Sequence, residues 1–309
     1  MSTATPAPKN DTLVQVFFYL TIMTLHKQIQ RATQRAAPHY HKRAQLPYTL
    51  AQRLLEKWEQ ICQLNTRPLP LLTQPHTLLD IGCGTGGLLD QLQTCFPHTQ
   101  CFGVDLSLAM LEQHPAHTLC ADAHHLPFPD HSIDVIFSVL MLEWSPHLPT
   151  LLQEFKRVLS PNGHFFFATL GPGTLMELRQ TWQKIDAHPH INYFTDMHDL
   201  GDMLLKLKFE TPIVTREDIT CLYRHVSSLL KELKQLGSVK MSDNIQRTFT
   251  QKSLLQALET HYPQNNEHFY PATFEAIYGY AAGSTHHPED EARGITRVPI
   301  QKVFKKKHS

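Results

Sequence analysis

The chain lacks most of the features that announce a function class. Positive and negative side chains balance, with 28 Lys+Arg against 28 Asp+Glu, so no global field points to nucleic acid or to an acidic membrane surface. Any recognition by charge must be local. The six cysteines (Cys62, Cys83, Cys95, Cys101, Cys120 and Cys221) form no C-x-x-C pair. Several sit in apolar runs, which suits reduced, buried thiols in a cytoplasmic protein. The 21 histidines are numerous but scattered rather than placed at metal-ligand spacing, so no metal is expected and surface positions are. No long hydrophobic run is present. The longest, Leu13 to Met23, is too short and too polar at Gln15 and Thr21 to span a bilayer. It also lacks a basic flank and a small-residue cleavage site, so no signal peptide is expected. No Ser/His/Asp or Cys/His signature stands out.

What is present is a regular alternation. At 309 residues the chain can bury one large core, or one core plus a subdomain. Residues 1–24 read as an extension, partly disordered, with Met23 a candidate natural start; residues 25–70 read as N-terminal helices. In the second of these, Leu50, Leu54, Leu55, Trp58 and Ile61 form a core-facing stripe. Prolines at 68, 70 and 75 stop the helix. Strands are expected at 78–81, 100–106, 117–122, 133–144 and 164–170, with short helices between them. That order implies an α/β fold with a doubly wound, mostly parallel sheet. From 171 to about 265 the pattern is mainly helical, with β character at 209–223, and reads as a substrate-covering insert; 268–283 is a last strand. The remainder, 284–309, reads as a flexible basic tail.

The alternation is organised around LLDIGCGTGG (78–87). It reads as a buried strand, a tight turn and a helix N-terminus. Glycines let the backbone bend and approach a ligand. Gly82, Gly84 and Gly87 fit the dinucleotide pattern G-x-G-x-x-G, while Gly82, Gly84 and Gly86 fit the G-x-G-x-G of S-adenosylmethionine (SAM) enzymes. Asp105, ending the second strand, suits the ribose in either case. Three features favour SAM. Asp80 is an acid inside an apolar strand, matched to an ammonium group and repelled by a pyrophosphate. Asp122 ends the third strand, where it can accept from an adenine amine, ahead of the stiff loop Pro127-Phe128-Pro129. No second series of β and α units follows for the far half of a dinucleotide.

Those segments, with VDLSLAML, ADAHHLPFPDHSIDVIFS and EFKRVLSPNGHFFFATL, resemble the class I SAM-dependent methyltransferases. The resemblance implies that Asp80, Gly82, Gly84 and Gly86 line the methionine moiety. It further implies that Asp105 holds the ribose, that Asp122 with Ala123 faces the adenine with Met110 packed near it, and that Leu106 is a further cofactor contact. RAAPHYHKRA (35–44), TLGPGTLMELRQTWQKIDAHPHINYF (169–194), LKELKQLGS (230–238) and YPATFEAIYGYA (270–281) further resemble the malonyl-acyl-carrier-protein O-methyltransferases of biotin synthesis. Three positions depart from that family: Thr33 replaces a usual Phe, Pro47 a usual Gln, and Glu143 a common Gln.

The resemblance implies methyl transfer from SAM to a malonyl carboxylate. A carboxylate is already ionised near neutral pH, so no general base is required. Tyr40 is the first candidate to act on the acceptor carboxylate, with Arg35, Trp144, His190 and Asn192 as further candidate substrate contacts. An acidic carrier protein would dock on a local basic patch: Arg31, Arg35, Lys42 and Arg43, or Lys231 and Lys234. Nucleic acid and membrane are not expected as partners. Two other readings are a SAM enzyme for another small acid or a quinone, and a non-catalytic SAM-binding subunit.

Overall fold

The computed structural model describes residues 26–40, 44–64, 73–114, 117–185, 190–236 and 251–283. The expected extension, the basic tail, and Lys42 and Arg43 lie outside these residues. Helix α1 (26–36) runs into a 3-10 turn, Ala37–His39, and α2 spans Gln45–Leu64. Then come β1 (Thr77–Ile81), α3 (Gly87–Cys95), β2 (Gln100–Asp105), α4 (Leu108–Leu111) and β3 (Thr118–Cys120). They are followed by β4 (Ile133–Val139), α5 (Leu148–Val158) and β5 (Leu159–Leu170). Last are α6 (Met176–Gln183), α7 (Met197–Lys206), β6 (Glu210–Tyr223), α8 (Val226–Leu236), α9 (Gln251–His261) and β7 (Tyr270–Ala282).

The strands form one seven-stranded sheet in the order β3-β2-β1-β4-β5-β7-β6. The first five are parallel; β7 runs antiparallel between β5 and β6. The apolar runs follow from burial on both faces. Leu78, Val135, Phe137 and Phe166 join α2, α3, α8 and α9 on one face. Their chain neighbours Leu79, Ile136, Phe165 and Phe167 join α5 and α7 on the other. Phe137 stacks on Phe166 at 5.2 Å, one of the aromatic contacts that fill the first layer.

Two expected elements differ. The fourth strand stops at Val139, because Leu140 takes φ 52° and a 3-10 turn, Leu142–Trp144, turns the chain across the sheet edge. The β character expected at 209–223 is β6, which goes further than a local strand: it alternates half-buried and exposed residues and extends the sheet as its edge. Leu200 and Leu204 of α7, and Val226, Leu229 and Leu258 of α8 and α9, are core residues. The segment is therefore built into the domain rather than laid over it. No helix among the described residues is long and apolar enough to cross a membrane.

The β5–β7 pairing contains a steric constraint. Gly279 stands opposite Phe167, and a Cβ there would occupy the Phe167 ring, which is fully buried. Gly279→Ala should therefore destabilise the fold by about 1–3 kcal/mol through overpacking. The measurement is the urea midpoint at constant m. An unchanged midpoint would mean the ring moves aside freely.

Candidate active site

In an open α/β sheet, ligands bind at the carboxyl ends of the strands where the order reverses. Here that point lies between β1 and β4. The turn after β1 is tied down by Gly82 N–H and Cys83 N–H, which donate to Val104 O at 2.7 and 3.1 Å. Gly82 has φ 78°, and a Cβ there would lie 2.6 Å from the Met141 side chain. Gly86 caps α3 at φ 80°, and a Cβ there would strike the His114 ring. Gly87 carries no such constraint, since a Cβ would meet nothing within 4 Å. The conformational need thus falls on positions 82, 84 and 86, the SAM-type spacing, and not on position 87.

Three carboxyl groups gather at this edge, and each is managed differently. Asp105 accepts from Gly84 N–H at 2.9 Å and Ser107 N–H at 2.8 Å. Burial raises its proton affinity while these bonds oppose the rise. Asp122 is partly desolvated, yet bonds from the His124 backbone and ring (2.9 and 3.0 Å), with His26 at 3.8 Å, hold it below the ordinary carboxylate range. Asp80 is 1% exposed and its Oδ2 has no hydrogen-bond partner. Burial first, and the Asp105 charge second, push its pKa up to about 8.

A cleft opens on one side of the turn. Asp105, Leu106, Met110, Asp122, Ala123 and Trp144 line it. A second cavity holds Asp80, Thr85 and Gly87, with Gln45, Pro47 and Tyr48 from α2. The two share Tyr40, Gly82, Gly84 and Val139. Tyr40 therefore stands at the junction, and its ring carbon Cε1 would lie 3.9 Å from a Cβ at Gly84. Burial, with the charges of Asp105 and Glu143, raises its proton affinity, so it is a phenol donor at neutral pH.

Some residues had no legible signal in the chain. Helix α1 roofs the cleft: Gln30 Nε2 donates to Leu106 O at 3.4 Å, and Thr33 Oγ1 to Ser107 Oγ at 2.8 Å. Ala36 and Ala37 pack on Met110. The Thr33 departure thus puts a hydroxyl where it bridges to the end of β2. The histidines are not all isolated, since His26 and His124 flank Asp122 with ligand-type atoms within 4.8 Å of one another. Arg35 is exposed on α1 and lines neither cavity. His190 is buried, stacked on Trp182 at 3.7 Å, and Asn192 accepts through its carbonyl from Arg179 at 2.9 Å. Neither His190 nor Asn192 reaches the cleft; aromatic packing in one case and a loop hydrogen bond in the other place them elsewhere.

A methyltransferase-domain family matches residues 79–167. Malonyl-[acyl-carrier protein] O-methyltransferase 1 of Coxiella burnetii (strain RSA 493 / Nine Mile phase I) is 35% identical over 90% of this chain and 95% of its own length. The malonyl-[acyl-carrier protein] O-methyltransferase of Halorhodospira halophila (strain DSM 244 / SL1) is 33% identical over 90% and 95%. The chain belongs to the malonyl-[acyl-carrier protein] O-methyltransferase family. Two solved structures share its fold. YcgJ of Bacillus subtilis has a TM-score of 0.52 at 16% identity, covering 74% of this chain and 98% of its own. A methyltransferase described as putative from Bacillus halodurans C-125 has 0.51 at 17%, covering 75% and 99%.

The residues present fit SAM, the cofactor of this family. The orphaned Oδ2 of Asp80 is a buried acceptor awaiting a cation, as the ammonium end of SAM would provide, and the glycine backbone leaves no Cβ in the way. Pairing with a cation lowers a carboxyl pKa, so binding should release the Asp80 proton. Affinity for S-adenosylhomocysteine, which keeps that ammonium group, should therefore rise with pH up to about 8. Without ligand the sign is reversed: the raised Asp80 pKa costs stability as pH climbs from the ordinary carboxylate range towards 8. Asp80→Asn should weaken binding by about 10- to 100-fold, the worth of a charge-assisted hydrogen bond, and flatten the pH dependence. Calorimetric titration at several pH values measures both effects. Equal slopes in the two proteins would remove Asp80 from the ammonium site.

Proposed function

We propose that this chain transfers the SAM methyl group to the free carboxylate of malonyl-acyl carrier protein, giving the methyl ester that primes pimeloyl synthesis for biotin. The observation that carries this reading is similarity along nearly the whole chain to proteins of that activity, not to the domain core alone. SAM supplies an electrophilic methyl group on a sulfonium centre. The chain's own work is to bind, orient and exclude water. Asp80 receives the ammonium end, Asp105 accepts from the ribose hydroxyls, and Asp122 accepts from the adenine amine beside Met110 and Ala123. Tyr40, at the junction of the two cavities, donates to one oxygen of the acceptor carboxylate and leaves the other free to attack. Trp144 walls the cleft beside it.

Lys27, Arg31 and Arg35 recur every four residues on α1 and all three are exposed. They form one solvent-facing stripe on the helix whose opposite face roofs the cleft. An acidic carrier protein docked there would stand beside the methyl donor. Lys231, exposed on α8, is the second candidate contact. The free thiols of the described cysteines fit a reducing compartment, the cytoplasm.

Incubation with isotope-labelled SAM and malonyl-carrier protein should add one methyl group to the acyl chain, read by mass analysis; no gain would sink the proposal. Tyr40→Phe should lower kcat/KM by about 10- to 100-fold while SAM affinity is kept. Full activity would remove Tyr40 from the mechanism. Reversing charge at both Arg31 and Arg35 should raise the carrier-protein KM several-fold at low salt, with the effect shrinking as salt is added.

A further inference from the structure

Glu143 is a buried titratable group that the mechanism above does not use. It sits in the 3-10 turn that crosses the sheet edge after β4, and both Met141 and Trp144 beside it line the cleft. Its Oε2 accepts from Thr169 Oγ1, at the end of β5, at 3.0 Å. Its Oε1 is buried with no hydrogen-bond partner. Its charge is felt at the Tyr40 phenol, which lines both cavities. An unpartnered carboxylate oxygen in that position is costly. A protonated one is a hydrogen-bond donor with no acceptor.

We propose that Glu143 helps receive the acceptor's carboxylate, donating a hydrogen bond from Oε1–H to the oxygen that Tyr40 also binds. The inference rests on the acceptor reading above and names the residue that makes it specific for an anionic group. The oxygen that carries no donor forms the new O–CH₃ bond as the S–CH₃ bond breaks. The bond pair stays on sulfur, the sulfonium becomes a thioether, and the carboxylate becomes a neutral ester. Glu143 keeps its proton throughout. Its role is substrate positioning. A Gln at this position would offer the same donor at every pH; Glu offers it only while protonated.

The state of Glu143 supports this. Burial pushes its pKa up to about 7, against the hydrogen bond from Thr169. The group facing it from the segment after α1 is Tyr40, which stays a phenol across the working range, with Asp105 of β2 also acting on that phenol. From β5 it meets Thr169, which does not titrate. Glu275 of β7, near the end of β5, is held by Gly173 N–H and lies 3.6 Å from Arg216. Above pH 7 Glu143 and a malonyl carboxylate would be two anions at one place, and binding must weaken.

The test is the pH dependence of kinetics for malonyl-carrier protein at saturating SAM, with wild type, Glu143→Gln and Thr169→Val. Wild-type KM should climb by about tenfold per pH unit above 7, with kcat little changed. Glu143→Gln should hold a flat KM over the same range. Thr169→Val removes the bond that favours the charged form, so its KM rise should begin at higher pH. Superimposable KM profiles for wild type and Glu143→Gln would overturn the proposal. So would a kcat that rises with pH above 7 in wild type alone, because that is the sign of a general base. A methyl ester from neither protein at any pH would overturn the acceptor reading itself, which is a separate and recognisable result.

Discussion

The site depends on one constraint: carboxyl groups are packed at the carboxyl edge of a sheet where water does not reach them all. Asp80, Asp105 and Asp122 end three strands of a parallel run, β1, β2 and the segment after β3. Each needs a way to be there. Backbone N–H groups of the glycine turn and of Ser107 satisfy Asp105. Histidines at 26 and 124 satisfy Asp122. Nothing satisfies Oδ2 of Asp80. The cleft is consequently graded along its length, from an unpaired buried acid to a half-buried, hydrogen-bonded and ionised one. A ligand with a cation at one end, hydroxyls in the middle and an amine at the other fills that gradient.

The same constraint makes the acceptor a problem. An anionic acceptor must approach a wall that already carries Asp80 and Asp105, with Glu143 near enough for its charge to act on Tyr40. In water at 4 Å two like charges cost about 1 kcal/mol, and several times that where water is thinned. Burial eases the conflict by protonating what it can, since Asp80 and Glu143 titrate near 8 and 7 rather than near 4. Asp80 gives up its proton when a cation pairs with it. In the proposed reading Glu143, with no cation opposite it, keeps its proton below about pH 7. Two acids of similar burial are thereby separated in role by what each faces.

The donor half of this arrangement was legible in the chain and the acceptor half was not. Asp80, Gly82, Asp105 and Asp122 lie in strands and turns whose period and order place them, so local pattern alone put them at one edge. The choice between glycine patterns needed backbone angles, because only geometry separates Gly86 from Gly87. His190 and Asn192 read as candidate substrate contacts because they lie in the segment 169–194 that carries the family resemblance. Their places are decided by a Trp182 ring and an Arg179 side chain that spacing cannot reveal. Thr33 reads as a departure with no evident purpose until Ser107 is brought within 2.8 Å of it, from a residue 74 positions later. Contacts of such separation leave no periodic trace.

There is also a chemical reason why the acceptor side carries no motif. Motifs persist where a reaction needs particular functional groups at fixed mutual spacing, as when a nucleophile needs its base. A carboxylate acceptor brings its own charge and its own lone pairs, so methyl transfer to it needs only alignment, a dry cavity and a donor or two that do not compete for the attacking oxygen. Those requirements can be met from any element that reaches the cleft. In the proposed reading they fall to a tyrosine after α1, an acid after β4 and a tryptophan beside it, none adjacent in the chain to the glycine turn. Helix α1 then has two tasks on two faces. Its inner face holds Leu106, Ser107 and Met110 from above, while its outer face carries the repeating basic side chains. In the proposed reading a carrier protein bound to the outer face presses the roof onto the cleft, so that docking and the exclusion of water are one event.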